Sequence, residues 1–304
     1  MDTSWLADLR ALADTLNFSR AAEARNITQP AFGRRIRSLE DWSGTSLIDR
    51  STHRLKITPA GEIMLSAAQD VLQRLNRAKH ELEQVRASSA TLTFAATHAL
   101  SFTFFPSWFQ GLGPSVSTVP IRLLSDNMSE CEGMMADGRA QFLLCHRHPD
   151  SDIRLSHAHF RHLELASDRL VPVAARLPSG ESRHSLPGSS GDPVPFLAFD
   201  DTSGMGRILA ATLQNDVRVL HLKQVFSSHL AMVLKALALE GKGVAWVPES
   251  LVSTELEEGG GLSVAGGEWV VPVKIVLIRP RTRMTELAET FWSSVETASK
   301  RTTG

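Results

Sequence analysis

Residues 19–59 read SRAAEARNITQPAFGRRIRSLEDWSGTSLIDRSTHRLKITP. Ser19 stands before Ala21, Ala22 and Ala24, whose small side chains let a second helix cross closely. Thr28 suits a helix N-cap, and Pro30 is tolerated just after it because first-turn amides have no intrahelical acceptor. Ile27 and Phe32 then take the N′ and N4 positions of a hydrophobic staple. Phe32, Ile36 and Leu39 recur at helical spacing and form one apolar face, with Arg34, Arg35 and Arg37 largely off it. Gly44 closes the helix, and residues 50–59 alternate as two short strands with a basic tip at Arg50, Thr52, His53 and Arg54. Helix, tight turn, arginine-bearing helix and basic hairpin are the parts of a winged helix-turn-helix, a module that reads DNA.

The chemistry agrees with that arrangement. A guanidinium can fork onto a guanine edge or neutralise a phosphate, and Ser19, Thr28, Gln29 and Pro30 sit where a recognition helix meets the groove. Arginine-rich faces also occur on merely solvated helices, and it is the wing, able to reach a flanking phosphate or the minor groove, that favours DNA.

The ordered set Asn17-Phe18-Ser19-Arg20-Ala21-Ala22, Thr28-Gln29-Pro30-Ala31-Phe32, Arg35-Ile36-Arg37-Ser38-Leu39-Glu40, Leu47-Ile48-Asp49-Arg50 and Leu55-Lys56-Ile57-Thr58-Pro59-Ala60-Gly61 resembles the LysR-type transcriptional regulators. Gly33 departs from the serine usual in that family. Either the missing hydroxyl weakens a DNA contact or the bare backbone allows a closer one, at a helix cost of about 1 kcal/mol relative to alanine. The resemblance implies DNA contacts from Ser19, Thr28, Gln29, Pro30, Phe32, Arg34, Arg35, Arg37, Arg50, Thr52, His53 and Arg54. It also implies a cytoplasmic bacterial protein with no enzymatic activity and no cofactor, assembled as a homodimer or homotetramer.

With 32 Lys and Arg against 33 Asp and Glu in 304 residues, non-specific polyanion binding by the whole chain is disfavoured, so DNA affinity must come from a local basic surface. The N-terminus has no signal-peptide pattern, and no apolar run is long enough for a bilayer. The two cysteines, Cys131 and Cys145, are too few for a disulfide framework and read as buried small hydrophobes or, less simply, as a regulatory thiol.

Three regions are expected: a winged helix-turn-helix over 1–59, a linker helix over 60–90, and an effector domain over 91–304. In the linker, Met64, Ala68, Val71, Leu75, Ala78, Leu82 and Val85 alternate by fours and threes, the spacing of a coiled-coil seam. Burial on its own domain is the simpler alternative. A dimer would set two DNA modules against a pseudo-palindrome of fixed half-site spacing.

Beyond Ser89, β-rich runs at 92–96, 121–124, 142–145, 170–173, 196–198, 217–222 and 244–247 alternate with helical ones, which predicts α/β lobes with mainly parallel sheets. The resemblance implies two lobes hinged like a periplasmic binding protein, the first over 91–165 plus 268–304 and the second over 166–267. Ligands of such sheets sit beyond strand C-termini, against helix N-termini. Those positions hold Thr97, His98 and Ser101; Ser125, Asp126 and Asn127; Cys145 and His146; Thr202, Ser203, Gly204 and Met205 before one helix; and Phe226, Ser227 and Ser228 at the expected start of another. Each hydroxyl could equally be an ordinary N-cap. Together they outline a cleft for a small polar or anionic effector.

Residues 95–101, 205–209, 243–249 and Thr282-Arg283-Met284 are similar to the branch of the family that includes hypochlorite-responsive regulators. A methionine at a helix start in a cleft, Met205, could be oxidised to a polar sulfoxide, or could be plain lining. His146, His148, His157, His159 and His162 invite a metal-dependent enzyme as a third reading. Their spacing reproduces no recognised metal signature, and no serine elbow, phosphate loop or dinucleotide fingerprint is present.

Overall fold

The computed structural model describes residues 1–50, 55–86, 91–113, 118–151, 153–257 and 260–302. The chain divides into an N-terminal unit, through Ala87, and a C-terminal unit.

The N-terminal unit begins with helices α1 (Thr3–Thr15), α2 (Phe18–Ala24) and α3 (Gln29–Ser43). Strands β1 (Ile48–Asp49) and β2 (Lys56–Ile57) and the long helix α4 (Pro59–Arg86) follow. Asn17 caps α2, its side chain accepting the amides of Ser19 and Arg20, so Ser19 lies inside that helix. The turn to α3 passes through Asn26 at φ 53°, a left-handed conformation that asparagine tolerates better than most residues. Thr28 occupies the N-cap of α3, yet its hydroxyl accepts no amide and the side chain stays exposed. Gly44, at φ 69°, ends α3. Leu6, Leu9 and Leu12 of α1 pack with Ala21, Ala22, Phe32, Ile36 and Leu39 in one core, with Ile27 against it as the staple requires.

The wing is an antiparallel pair, Ile48 opposite Ile57 and Asp49 opposite Lys56. Its first strand therefore starts two residues before the expected Arg50, because Leu47 and Ile48 are drawn into the core. Thr52, His53 and Arg54 lie outside the described residues. Thr58 starts α4 by accepting the Gly61 amide at 3.0 Å. A Cβ on Gly61 would lie 2.2 Å from the Leu47 carbonyl oxygen, so only glycine lets α4 approach β1 this closely.

The expected seam on α4 divides along its length. Ala68 is fully buried, and Met64 packs with it on the core of its own domain. Farther on, Val71, Leu75 and Leu82 are 40%, 50% and 66% exposed, and Ala78 is exposed as well. The side chain of Val85 is outside the described residues. The first turns of α4 thus follow the intramolecular alternative, and the later ones keep an open apolar stripe.

The C-terminal unit opens with β3 (Leu92–Thr97), α5 (His98–Thr103), α6 (Phe105–Gly111), β4 (Ile121–Asp126), α7 (Met128–Ala136) and β5 (Phe142–Arg147). It continues through β6 (Phe160–Ala175), β7 (Val194–Phe199), α8 (Gly204–Asn215), β8 (Leu222–Ser228) and α9 (Ala231–Leu239). The last elements are β9 (Ala245–Pro248), α10 (Glu249–Leu256), β10 (Leu262–Val264), β11 (Val271–Pro280) and α11 (Glu286–Thr302).

The sheets are mixed rather than mainly parallel. β3 pairs with β4 and β5 in parallel, as β7 does with β8. The long strands β6 and β11 pair antiparallel with each other, β11 also with β5, and β6 also with β9 and β10. These two strands run through both lobes, so the expected division at 165/166 falls inside β6. Alternation along β3 and β5 gives the first lobe two packed faces. Phe94, Phe142, Phe291 and Trp292 lie on one, and Ala95, Leu143, Cys145 and Ile278 on the other. The second lobe packs around Trp246, Leu234, Val173 and Ile208. The strand expected at 217–222 is instead the later β8. Val217 and Val219 are 96% and 65% exposed, while Arg218 is held by Asp216 and stacks over Trp269.

Candidate DNA interface and effector cleft

On α3, Arg34 and Arg37 are exposed, as are Thr28, Gln29 and Pro30 at its start. Ser19 Oγ donates to Gln29 Oε1 at 3.2 Å, linking α2 to the first turn of α3. Arg35 is less available. Its Nη1 lies 3.4 Å from Asp8 Oδ2, while Arg25 Nε donates to Asp8 Oδ1 at 2.7 Å; the Asp8 side chain is completely buried. Arg50 donates from Nη2 to Glu40 Oε2 at 2.8 Å and lies over the Phe18 ring. The other Glu40 oxygen accepts the amides of Leu47 and Ile48, fixing the base of the wing to α3. Phe32 must be withdrawn as a direct DNA contact. It is 0% exposed, because the staple position that makes it a helix-start signal also turns it into the core. Around the α-carbon of Gly33 a side chain would meet open space.

Where the lobes of the C-terminal unit face each other, a narrow recess is lined by Thr97, His98, Asp126, Asn127, Met128, His146, Ser203, Gly204, Met205 and His229, among others. Ser203 caps α8 by accepting the Gly206 amide, which places Met205 in the first helical turn. Ser101 and Ser125 stand behind His98: Ser101 donates to the His98 carbonyl at 2.7 Å and Ser125 donates to Ser101 Oγ at 3.0 Å. With both hydroxyl protons so used, the 3.1 Å contact between His98 Nδ1 and Ser125 Oγ needs its proton on Nδ1. Neutral His98 then carries an acceptor at Nε2. Burial, opposed by Asp126 and reinforced by His229, holds the His98 pKa below its ordinary value.

Two more imidazoles are tied to carboxylates. His146 Nε2 is 3.3 Å from Asp168 Oδ2 and His229 Nδ1 is 3.4 Å from Asp200 Oδ2. Burial disfavours ionisation of Asp168, but hydrogen bonds from His146 and Ser250 outweigh it and its pKa is lowered. Asp200 is lowered likewise, the Thr202 and His229 hydrogen bonds overcoming its desolvation. Thr97 Oγ1 and His146 Nδ1 are buried without a hydrogen-bond partner. Below the recess the lobes are tied directly. Arg207 of α8 forks onto Glu132 of α7 at 2.9 and 3.3 Å, and the Ser129 amide lies 3.4 Å from the Thr202 carbonyl.

Ser101 and Ser125 back His98 without lining the recess, and four more expected cleft residues lie elsewhere. Cys145 points to the opposite face of β5 from His146 and is fully buried in the core. Burial raises its thiol far above the ordinary range and that of Cys131 to about 12, which removes both as thiolates near neutral pH. Thr202 is exposed and donates to Asp200 at 2.6 Å. Phe226 and Ser227 belong to β8 rather than to a helix start, with the next helix beginning at Ala231. His229, just past the end of that strand, supplies the contact expected of them. Met128, His229 and the carboxylates Asp168 and Asp200 escaped the sequence reading. Only His229, following two serines after a β-rich run, left a local signal.

The histidines at 146–162 separate. His146 joins Asp168, His148 lies 3.9 Å from Asp150, and the rings of His157 and His162 stack with centroids 4.0 Å apart. Among the described residues no three His, Cys, Asp or Glu side chains converge as metal ligands. Burial, then the nearby His157 and Arg147, depress the His162 pKa to about 4. No helix among the described residues is long and apolar enough to cross a membrane.

Residues 3–62 match the bacterial regulatory helix-turn-helix protein, lysR family, and residues 86–300 match the LysR substrate binding domain. The chain is 32% identical over 296 residues to the HTH-type transcriptional regulator YjiE of Escherichia coli, covering 96% of this chain and 93% of that one. It superposes on full-length HypT of Salmonella typhimurium, a hypochlorite-specific LysR-type transcriptional regulator, with a TM-score of 0.59, 30% identity and 99% of each chain. Vibrio fischeri DarR, solved in complex with DNA, matches with a TM-score of 0.57, 27% identity, 97% of this chain and 98% of that one. With DNA-binding and effector modules both matched, in order and over nearly its whole length, the chain belongs to the LysR family of transcriptional regulators.

Proposed function

We propose that this regulator works in the cytoplasm as a homodimer, associated further into a tetramer, that places two winged helices on the half-sites of a pseudo-palindromic promoter. Arg34 would read base edges, Thr28, Gln29 and Arg37 would share the groove and its phosphates, and Arg50 with the wing tip would reach the flanking backbone. The exposed stripe Val71, Leu75 and Leu82 supports α4 as the dimer seam. The chain regulates and does not catalyse. A footprint on a duplex selected by the protein from a random pool tests this reading. Two protected half-sites separated by whole helical turns are expected, and one continuous non-periodic footprint would count against it.

The effector would be a small polar molecule in the recess between the lobes. The observation that carries this is the pair of buried polar atoms without partners there, Thr97 Oγ1 and His146 Nδ1, since such atoms are costly unless something satisfies them. Asp126 lines the recess, and Asp168 and Asp200 pair with its lining histidines His146 and His229, which favours a neutral or singly charged species over a multiply charged anion. The effector must favour one hinge state over the other, or DNA binding would not respond.

A second reading is favoured by Met205, which is 7% exposed and lines the same recess, together with the likeness to HypT. Hypochlorous acid would transfer its oxygen to the thioether sulfur, releasing chloride and a proton and leaving a polar sulfoxide. An oxidant-dependent change in affinity for the selected duplex that Met205→Leu abolishes would support this reading. An unchanged response in that variant would exclude Met205.

A further inference from the structure

Asp8 is the only acidic side chain of the N-terminal core that is completely buried among the described residues, and both of its oxygens face cations from the two helices of the DNA-reading motif. It comes from α1, which is not itself part of the helix-turn-helix. Arg25 at the end of α2 spends its Nε on Asp8 Oδ1, and Arg35 on α3 directs Nη1 at Asp8 Oδ2. The pairing does not bury either arginine: the side chains of Arg25 and Arg35 are 33% and 38% exposed. A guanidinium has five N–H donors in a rigid fork, so one bond to Asp8 orients the remaining donors without consuming them.

We infer that Asp8 is a positioning residue for DNA binding, locking Arg25 and Arg35 so that their outward N–H groups are presented to phosphates beside the groove that Arg34 reads. Asp8 touches no DNA, and a negative charge would by itself weaken binding to a polyanion. Its value lies in order. Two long side chains that would otherwise lose rotamer freedom on binding are held in the free protein, so that part of the entropy loss precedes the encounter. The inference rests on α3 being the recognition helix.

The two views of Asp8 differ in sign. If Asp8 were only an unwelcome charge, Asp8→Asn would tighten binding to every duplex and steepen the salt dependence. If it positions the two arginines, Asp8→Asn weakens binding to the selected duplex by about tenfold, weakens random-sequence binding in similar measure because phosphate contacts carry no sequence information, and flattens the salt dependence. Arg35→Lys keeps the charge, leaves Asp8 paired with Arg25, and covers the case in which Asp8→Asn does not fold. It is expected to lose about as much specific affinity as Asp8→Asn, and the double variant to lose little more than either single one. Additive losses, or unchanged specific binding by folded Arg35→Lys, would overturn the inference. Arg34→Ala separates this failure from failure of the recognition-helix assignment: if Arg34→Ala also binds normally, α3 is not the reading element.

Discussion

The DNA-binding unit and the effector domain each bury charged groups, but they treat them differently. In the first, Asp8 meets two arginines and Glu40 meets Arg50 and two amides, so the carboxylates that set the recognition helix and wing are matched in place. In the second, matched pairs stand beside unmatched atoms: His146 satisfies Asp168 through one ring nitrogen while the other, like Thr97 Oγ1, has no partner. A fully paired polar network holds one geometry, whereas polar atoms left unpaired can gain from a ligand. On the function proposed above, paired groups hold the DNA-binding unit fixed, and unpaired atoms leave the cleft able to respond.

The largest expected effect lies on the cleft side. Arg207→Ala leaves Glu132, 3% exposed, without its fork, and should cost the effector domain about 3 kcal/mol, read as a lower thermal midpoint with the N-terminal unit unaffected. No change would mean that the pair between α7 and α8 does not hold the lobes. In the reading head, Gly61→Ala drives a methyl toward the Leu47 carbonyl and should cost about 2 kcal/mol, seen in chemical denaturation of the full chain. A neutral result would show that α4 can move off the wing.

Acid gives a smaller effect, in the effector domain. His162 is neutral in the folded chain down to about pH 4, against 6.5 when unperturbed. The unfolded chain therefore binds the proton first as pH falls. This contribution to stability is complete above 6.5, is lost progressively between 6.5 and about 4, and is flat below. His98, also lowered, acts in the same sense. Replacing His162 with Asn should flatten stability against pH in that window, and an unaltered slope would contradict the assignment. Smallest of all, Gly33→Ala has open space around it and should stabilise α3 by about 0.5–1 kcal/mol, measurable as a raised denaturation midpoint. Destabilisation would show that the bare backbone serves a packing role.

The same contrast explains what could be read in the sequence. The helix-turn-helix is encoded by neighbours: Thr28, Pro30, Ile27 with Phe32, and Gly44 are local signals that needed no tertiary knowledge. What failed there failed through burial, since Phe32 cannot both staple the helix and touch DNA, and Asp8, eight residues from the chain start, gave no hint that it would meet Arg25 and Arg35. The cleft is assembled from the ends of β3, β4, β5 and β8 and the start of α8. A shift of a few residues in placing β8 was enough to name Phe226 and Ser227 in place of His229. Cys145 was lost to strand alternation, one position from the correct His146. The antiparallel course of β6 and β11 was hidden because both strands are long, and sequence gives no pairing direction.

Whether α3 reads DNA through Arg34 is decided by the affinity ratio between the selected duplex and random duplex for wild type and Arg34→Ala across a salt series. The substitution is expected to lower this ratio by about tenfold or more while the random-sequence affinity barely moves. An unchanged ratio, or an equal loss on both duplexes, would contradict it.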